Sequence, residues 1–168
     1  TRTLPVTILR PPRLIGREAE LAAMAQAWQA GAAFLVQGEA GMGKSRALAE
    51  FAQEQVRVTL VQARPGDSGV PYATLARLLR TAMAGRLPEL ADGSRTQLAR
   101  VLPELQAAPG TGAEGERSQL QQAIEAVLLD VRRDGVRGIL VDDLQFADEA
   151  SVEMLRAILG GEREIDLR

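Results

Sequence analysis

The stretch that most limits what this chain can become is Gly38 to Ser45, "GEAGMGKS". So many glycines make a poor helix and a poor core, yet the stretch lies between an apolar run, "AAFLVQ", and a helical pattern, "RALAEFAQEQV". It satisfies the spacing G-x-x-x-x-G-K-[ST] residue for residue, with the strand before it and the helix after it that this spacing requires. Glycines let successive backbone N–H groups turn to one side as an anion nest, and a helix starting directly afterwards adds its positive end. A triphosphate fits such a site. Gly38, Glu39, Ala40, Gly41, Met42, Gly43 and Arg46 would form its wall, Lys44 would reach the outer phosphates, and the Ser45 hydroxyl would ligate Mg2+. A Gly-rich turn that merely caps a helix is the plainer alternative, and it leaves the context on both sides unexplained.

A second stretch, "GILVDD" from Gly138 to Asp143, reads as an apolar strand ending in two aspartates. An Asp in that position organises the metal, usually through water, which gives Asp142 that role and sets Asp143 towards the attacking water. Two acids opening a loop is the alternative reading, and the glycine loop earlier in the chain weighs against it. Asp143 is one methylene shorter than Glu, so slow turnover is expected. In "LQFADEAS", Asp148 reads as the N-cap of the last helix in preference to a polar contact near the nucleotide. Gln145 is either a γ-phosphate sensor or a solvated loop residue. Trp28 and the few Phe residues read as core, and Arg64, Arg132, Arg133 and Arg137 form no pattern that identifies an arginine finger.

The remaining sequence supplies a scaffold. Helical spacing of Leu21, Met24, Ala25 and Trp28 predicts a helix over Glu18–Gln29, followed by a short buried strand, "AFLVQ". Leu48, Phe51, Ala52 and Val56 mark the face of the helix after the glycine loop, and "VRVTLVQA" is a β-branched strand. "RPGDSGVP" is a loop, "YATLARLLRTAMA" a helix, and a weaker helix runs near Ser94–Leu105. "AAPGTGAEGE" is low in complexity, "RSQLQQAIEAVLLDVRR" is a helix, and the last helix covers about Glu149–Leu159. Strands alternating with helices predict a parallel α/β sheet with ligands beyond the strands' carboxyl ends, where both unusual stretches fall.

The 168 residues suit one domain, with a Pro-rich arm or linker at 1–13 and a core at 14–168 interrupted by a helical, low-complexity insertion at about 65–117. No cysteine and no histidine is present, which excludes disulfides, thiolate chemistry and the usual general base. The formal charge of −2 gives no footprint for nucleic acid. No apolar run is long enough to cross a membrane and no secretory signal is visible, so a cytoplasmic location and no membrane partner are expected. A start on Thr and an end on "EREIDLR" read as a piece of a longer chain.

Four stretches, "LIGREAELAAM", "FLVQGEAGMGKSRALAEFA", "VPYATLARLL" and "ILVDDLQFADEASVEML", give the chain a family resemblance. It resembles the AAA+ and STAND class of signalling ATPases, specifically the ATPase module of large LuxR-type and related bacterial transcriptional regulators. The resemblance implies a P-loop NTPase three-layer sandwich around a parallel sheet, with ATP or ADP and Mg2+ as cofactors. It also places Ile15, Gly16 and Arg17 near adenine. A further central strand with a polar sensor, a helical lid and a separate DNA-binding domain would follow, and the sequence stops about where that strand would begin. The expectation is a weak ATPase that binds nucleotide as a switch, self-associates, and meets DNA only through another domain. A small P-loop kinase and a non-hydrolysing scaffold are the alternatives.

Overall fold

The computed structural model describes residues 14–55, 57–86, 89–105 and 116–159. The expected arm at 1–13, the low-complexity stretch ahead of Glu116 and the tail after Leu159 lie outside the described residues. The chain divides into two compact units, the first reaching Gln55 and the second taking in the described residues from Arg57 onward.

In the first unit, α1 (Glu18–Gln29) follows the predicted bounds and buries Met24 and Trp28. Glu18 and Glu20 in its first turn complement the positive end of the helix. The chain leaves it through Gly31, whose φ of 72° lies in the left-handed region that glycine adopts without steric cost. The next helix, α2 (Lys44–Glu54), buries Ala47, Leu48 and Phe51 and packs against α1. Phe51 is fully enclosed, and the rings of Trp28 and Phe34 meet it edge-on with centroids 5.8 and 5.5 Å away. Such pairs add about 0.5–1.5 kcal/mol beyond the area they bury, so Trp28 is core, as its spacing predicts.

One expected element is not formed. "AFLVQ" reads as a buried strand, but residues 32–39 carry no regular secondary structure, and Leu35 is 66% exposed. The burial pattern still alternates along Ala33–Gln37, with Phe34 and Val36 half-buried and their neighbours exposed. The side chains therefore keep the period of a strand, but a strand also needs a neighbouring ladder. Among the described residues of this unit no second strand supplies one.

The second unit contains the sheet. β1 (Val58–Gln62) and β2 (Gly138–Asp142) pair in parallel, in register from Val58 opposite Gly138 to Gln62 opposite Asp142. Its helices are α3 (Ala73–Met83), α4 (Asp92–Leu98), α5 (Glu116–Arg133) and α6 (Glu149–Leu159). α3 packs on β1, α5 and α6, and Leu75, Leu78 and Leu79 are sealed from solvent among Leu98, Ile124, Val127 and Met154. The segment that reads as an insertion thus supplies the centre of this core. Each buried aliphatic side chain is worth about 1.5–3 kcal/mol. The helix expected near Ser94–Leu105 ends at Leu98 and resumes only as a 3-10 turn at Pro103–Leu105. Pro103 cannot donate the helical hydrogen bond, and its ring disfavours helix in the residue before it. The α/β class is present, and two strands of the expected parallel sheet are seen among the described residues.

Candidate functional site

The glycine loop lies directly before α2. Gly41 and Gly43 have φ of 81° and 80°, so the loop turns through two left-handed residues, the second of which caps the helix. A side chain at either position would be strained, although the space around them is open. Gly38 is different: a Cβ there would sit 3.8 Å from Lys44 Cδ, an ordinary contact, so the fold does not demand glycine at that position. Gly43 brings no capping side chain to the start of α2.

Lys44 folds back over the loop. Its Nζ donates to the carbonyls of Gly38 at 2.9 Å and Glu39 at 2.8 Å, which uses two of the three ammonium donors. Ser45 next to it is exposed. A cavity of about 400 Å³ opens between α1 and the loop, lined by Arg17, Met24, Phe34, Gly38 and Lys44 among others. Its wall is largely apolar, with Arg17, Glu20, Glu39 and Lys44 as its charged groups, and its size falls within the roughly 300–1,000 Å³ of small-molecule sites. Arg17 also touches the loop: its Nη2 donates to the Met42 carbonyl at 2.9 Å and its Nη1 pairs with Glu20 at 2.6 Å. Gly16, at φ 76°, donates its N–H to Glu18, while Ile15 is 81% exposed.

The acidic pair lies in the second unit, at the carboxyl end of β2. Asp142 is buried, and its Oδ1 accepts the N–H of Asp143 at 2.9 Å. Asp143 has a φ of 55°, unusual for a residue with a side chain, and the chain turns there from the strand into a 3-10 turn at Leu144–Phe146. Its carboxylate accepts from Gln62 Nε2 at 2.8 Å and from Gln145 Nε2 at 3.0 Å. Gln145 is an exposed turn residue whose amide is tied to Asp143. Behind Gln62, its carbonyl accepts from Arg77, which also grips Asp67 through two bonds of 2.6 and 2.9 Å. The Arg77 guanidinium outweighs the cost of burial and holds the Asp67 carboxyl at about 2.

Asp148 is buried and caps α6, accepting from the N–H of Ser151 at 2.8 Å and from its hydroxyl at 2.8 Å. The same carboxylate accepts the N–H groups of Tyr72 and Thr74, and Ser151 Oγ accepts that of Leu75, so two helix starts share one anion. Burial alone would raise this carboxyl, but the donors hold it below its ordinary value.

The structure brings Arg17 together with Gly38, Met42 and Lys44 in the first unit, and Asp142 with Asp143 in the second. Sequence reasoning missed Gln62. It ends a strand, and only the pairing register shows that it stands opposite Asp142. The second duty of Asp148, at the start of α3, was equally hidden, because 74 residues separate it from Thr74. Among the described residues no helix is long and apolar enough to cross a membrane.

Residues 13–165 match a family model described as the AAA ATPase domain. No curated protein and no solved structure matches the chain.

Proposed function

This chain belongs to the AAA ATPase domain family, and we propose that it is an Mg·ATP-binding switch with slow hydrolysis. One observation carries the reading: two left-handed glycines lead straight into α2, with Lys44 folded over the loop they form. In this reading the N–H groups of residues 41–46 face the phosphates, Lys44 leaves the carbonyls of Gly38 and Glu39 to reach the outer ones, and Ser45 would ligate Mg2+; Asp142, on the other unit, keeps the role of an acidic metal ligand. The cation supplies charge neutralisation at the phosphates. Asp143 orients water, with Gln62 and Gln145 fixing its carboxylate. The cavity beside Arg17 takes the base, with Ile15 and Gly16 nearby. A wider three-layer P-loop sandwich, self-association, and control of transcription through a separate DNA-binding domain complete the proposal.

Titration with ATP, ADP and GTP in Mg2+ tests it against Lys44→Ala. Loss of a charged hydrogen bond is worth about 1.5–3 kcal/mol, so ATP should bind roughly ten- to a hundredfold more weakly. Unchanged affinity would remove the assignment. The scaffold reading draws support from Asp143, whose two oxygens are both engaged by amides. Phosphate released from ATP without any acceptor supports the switch over both the scaffold and a kinase.

A further inference from the structure

We infer that Arg17 is a positioning residue that sets the shape of the phosphate loop, and that it does not act by charge or by reading the base. The inference rests on the proposal that this loop binds polyphosphate. The Arg17 guanidinium donates to the carbonyl of Met42, the residue held between the two left-handed glycines. In a trans peptide the C=O of one residue and the N–H of the next point in opposite directions. Fixing the Met42 carbonyl towards Arg17 therefore fixes the Gly43 N–H away from it. That peptide plane turns about the ψ of Met42 and the φ of Gly43, and the conformational freedom of Gly43 would otherwise let it rotate.

The charge on Arg17 is already committed. Its Nη1 pairs with Glu20 at 2.6 Å, one turn along on α1, and that pairing holds the Glu20 carboxyl below its ordinary value. Glu20 lines the same cavity, so an anion arriving there meets a compensated pair. Two bonds in different directions also suit the planar fork of arginine better than the single point of a lysine. α1 is thereby tied to the loop through one side chain, which ties the shape of the phosphate cradle to the position of the first helix.

The test uses the full chain and three probes with Mg2+: ATP, GTP and inorganic tripolyphosphate. Arg17→Ala should weaken all three by a similar factor, roughly tenfold for a charged hydrogen bond acting through the loop. Arg17→Lys should recover part of that loss for all three. Glu20→Gln, which leaves the guanidinium uncompensated, should weaken binding or leave it unchanged. Two results would overturn the inference. In one, ATP weakens while tripolyphosphate does not, which would make Arg17 a base contact. In the other, Glu20→Gln tightens tripolyphosphate binding, which would make Arg17 a phosphate-binding charge. Lys44→Ala serves as the separate control: if it binds tripolyphosphate as well as the unaltered chain does, the polyphosphate reading itself fails, whatever Arg17 does.

Discussion

Lys44 is held by two carbonyls of its own loop, between glycines and beside the exposed Met42. Asp143, in the other unit, is gripped by amides from the end of β1 and from the turn that follows β2, and Asp148 is shared by the starts of α3 and α6. Beneath the acidic pair lies a core with Leu75, Leu78, Leu79, Ile124 and Val127 fully enclosed. Beneath the loop, Phe51 is the large side chain that is fully enclosed among the described residues. A binding loop drawn from the less tightly packed region can reshape around a ligand, whereas groups meant to aim a water or a metal gain from being fixed beforehand.

Phe51→Ala is the severest way to break this contrast. Removing the ring that Trp28 and Phe34 pack against should cost about 3–5 kcal/mol. Amide protection across α1 and α2 would report it. A cost below about 1 kcal/mol would mean that the first unit is not organised around that ring. Asp148→Ala comes next, at about 3 kcal/mol in urea denaturation, because it removes a cap and strands buried N–H groups at both helix starts. Asp148→Asn keeps one acceptor oxygen and should cost less. If the two variants are equal, the shared-anion account of α3 and α6 is wrong.

A smaller effect appears in acid. The folded-state carboxyl of Asp67 titrates at about 2, below its ordinary value of about 3.9. Its contribution is complete above the higher value and is lost as pH falls through the lower one. The stability gap between the unaltered chain and Asp67→Asn should therefore shrink from about pH 5 to pH 2. A gap that stays flat would show that the bond to Arg77 adds nothing. Glu104 is also held at about 2, by Arg80, but it is about half exposed, so its share should fade in high salt.

Much of this was legible in the sequence because it depends on local rules. The helix bounds at Glu18–Gln29 follow from apolar spacing, those at Glu149–Leu159 match the expected last helix, and β1 and β2 fall inside the β-branched and the apolar run read as strands. "AFLVQ" misled because the alternation that marks a strand says nothing about whether a partner ladder is present. Gln62 and the hold of Asp148 on Thr74 were illegible because each depends on a contact between distant parts of the chain. Arg17 stood out in the sequence only through resemblance, and its bond to Met42 emerges once α1 and the loop are seen together.

The most direct measurement is hydrogen exchange of the full chain, with and without saturating Mg·ATP, resolved to single amides. The account predicts that exchange slows most at residues 41–46, where N–H groups would turn to the phosphates, and changes least at the buried start of α3 around Thr74 and Leu75. Unaltered exchange through the glycine loop at a nucleotide concentration that saturates binding would contradict it, because the nucleotide would then be held elsewhere.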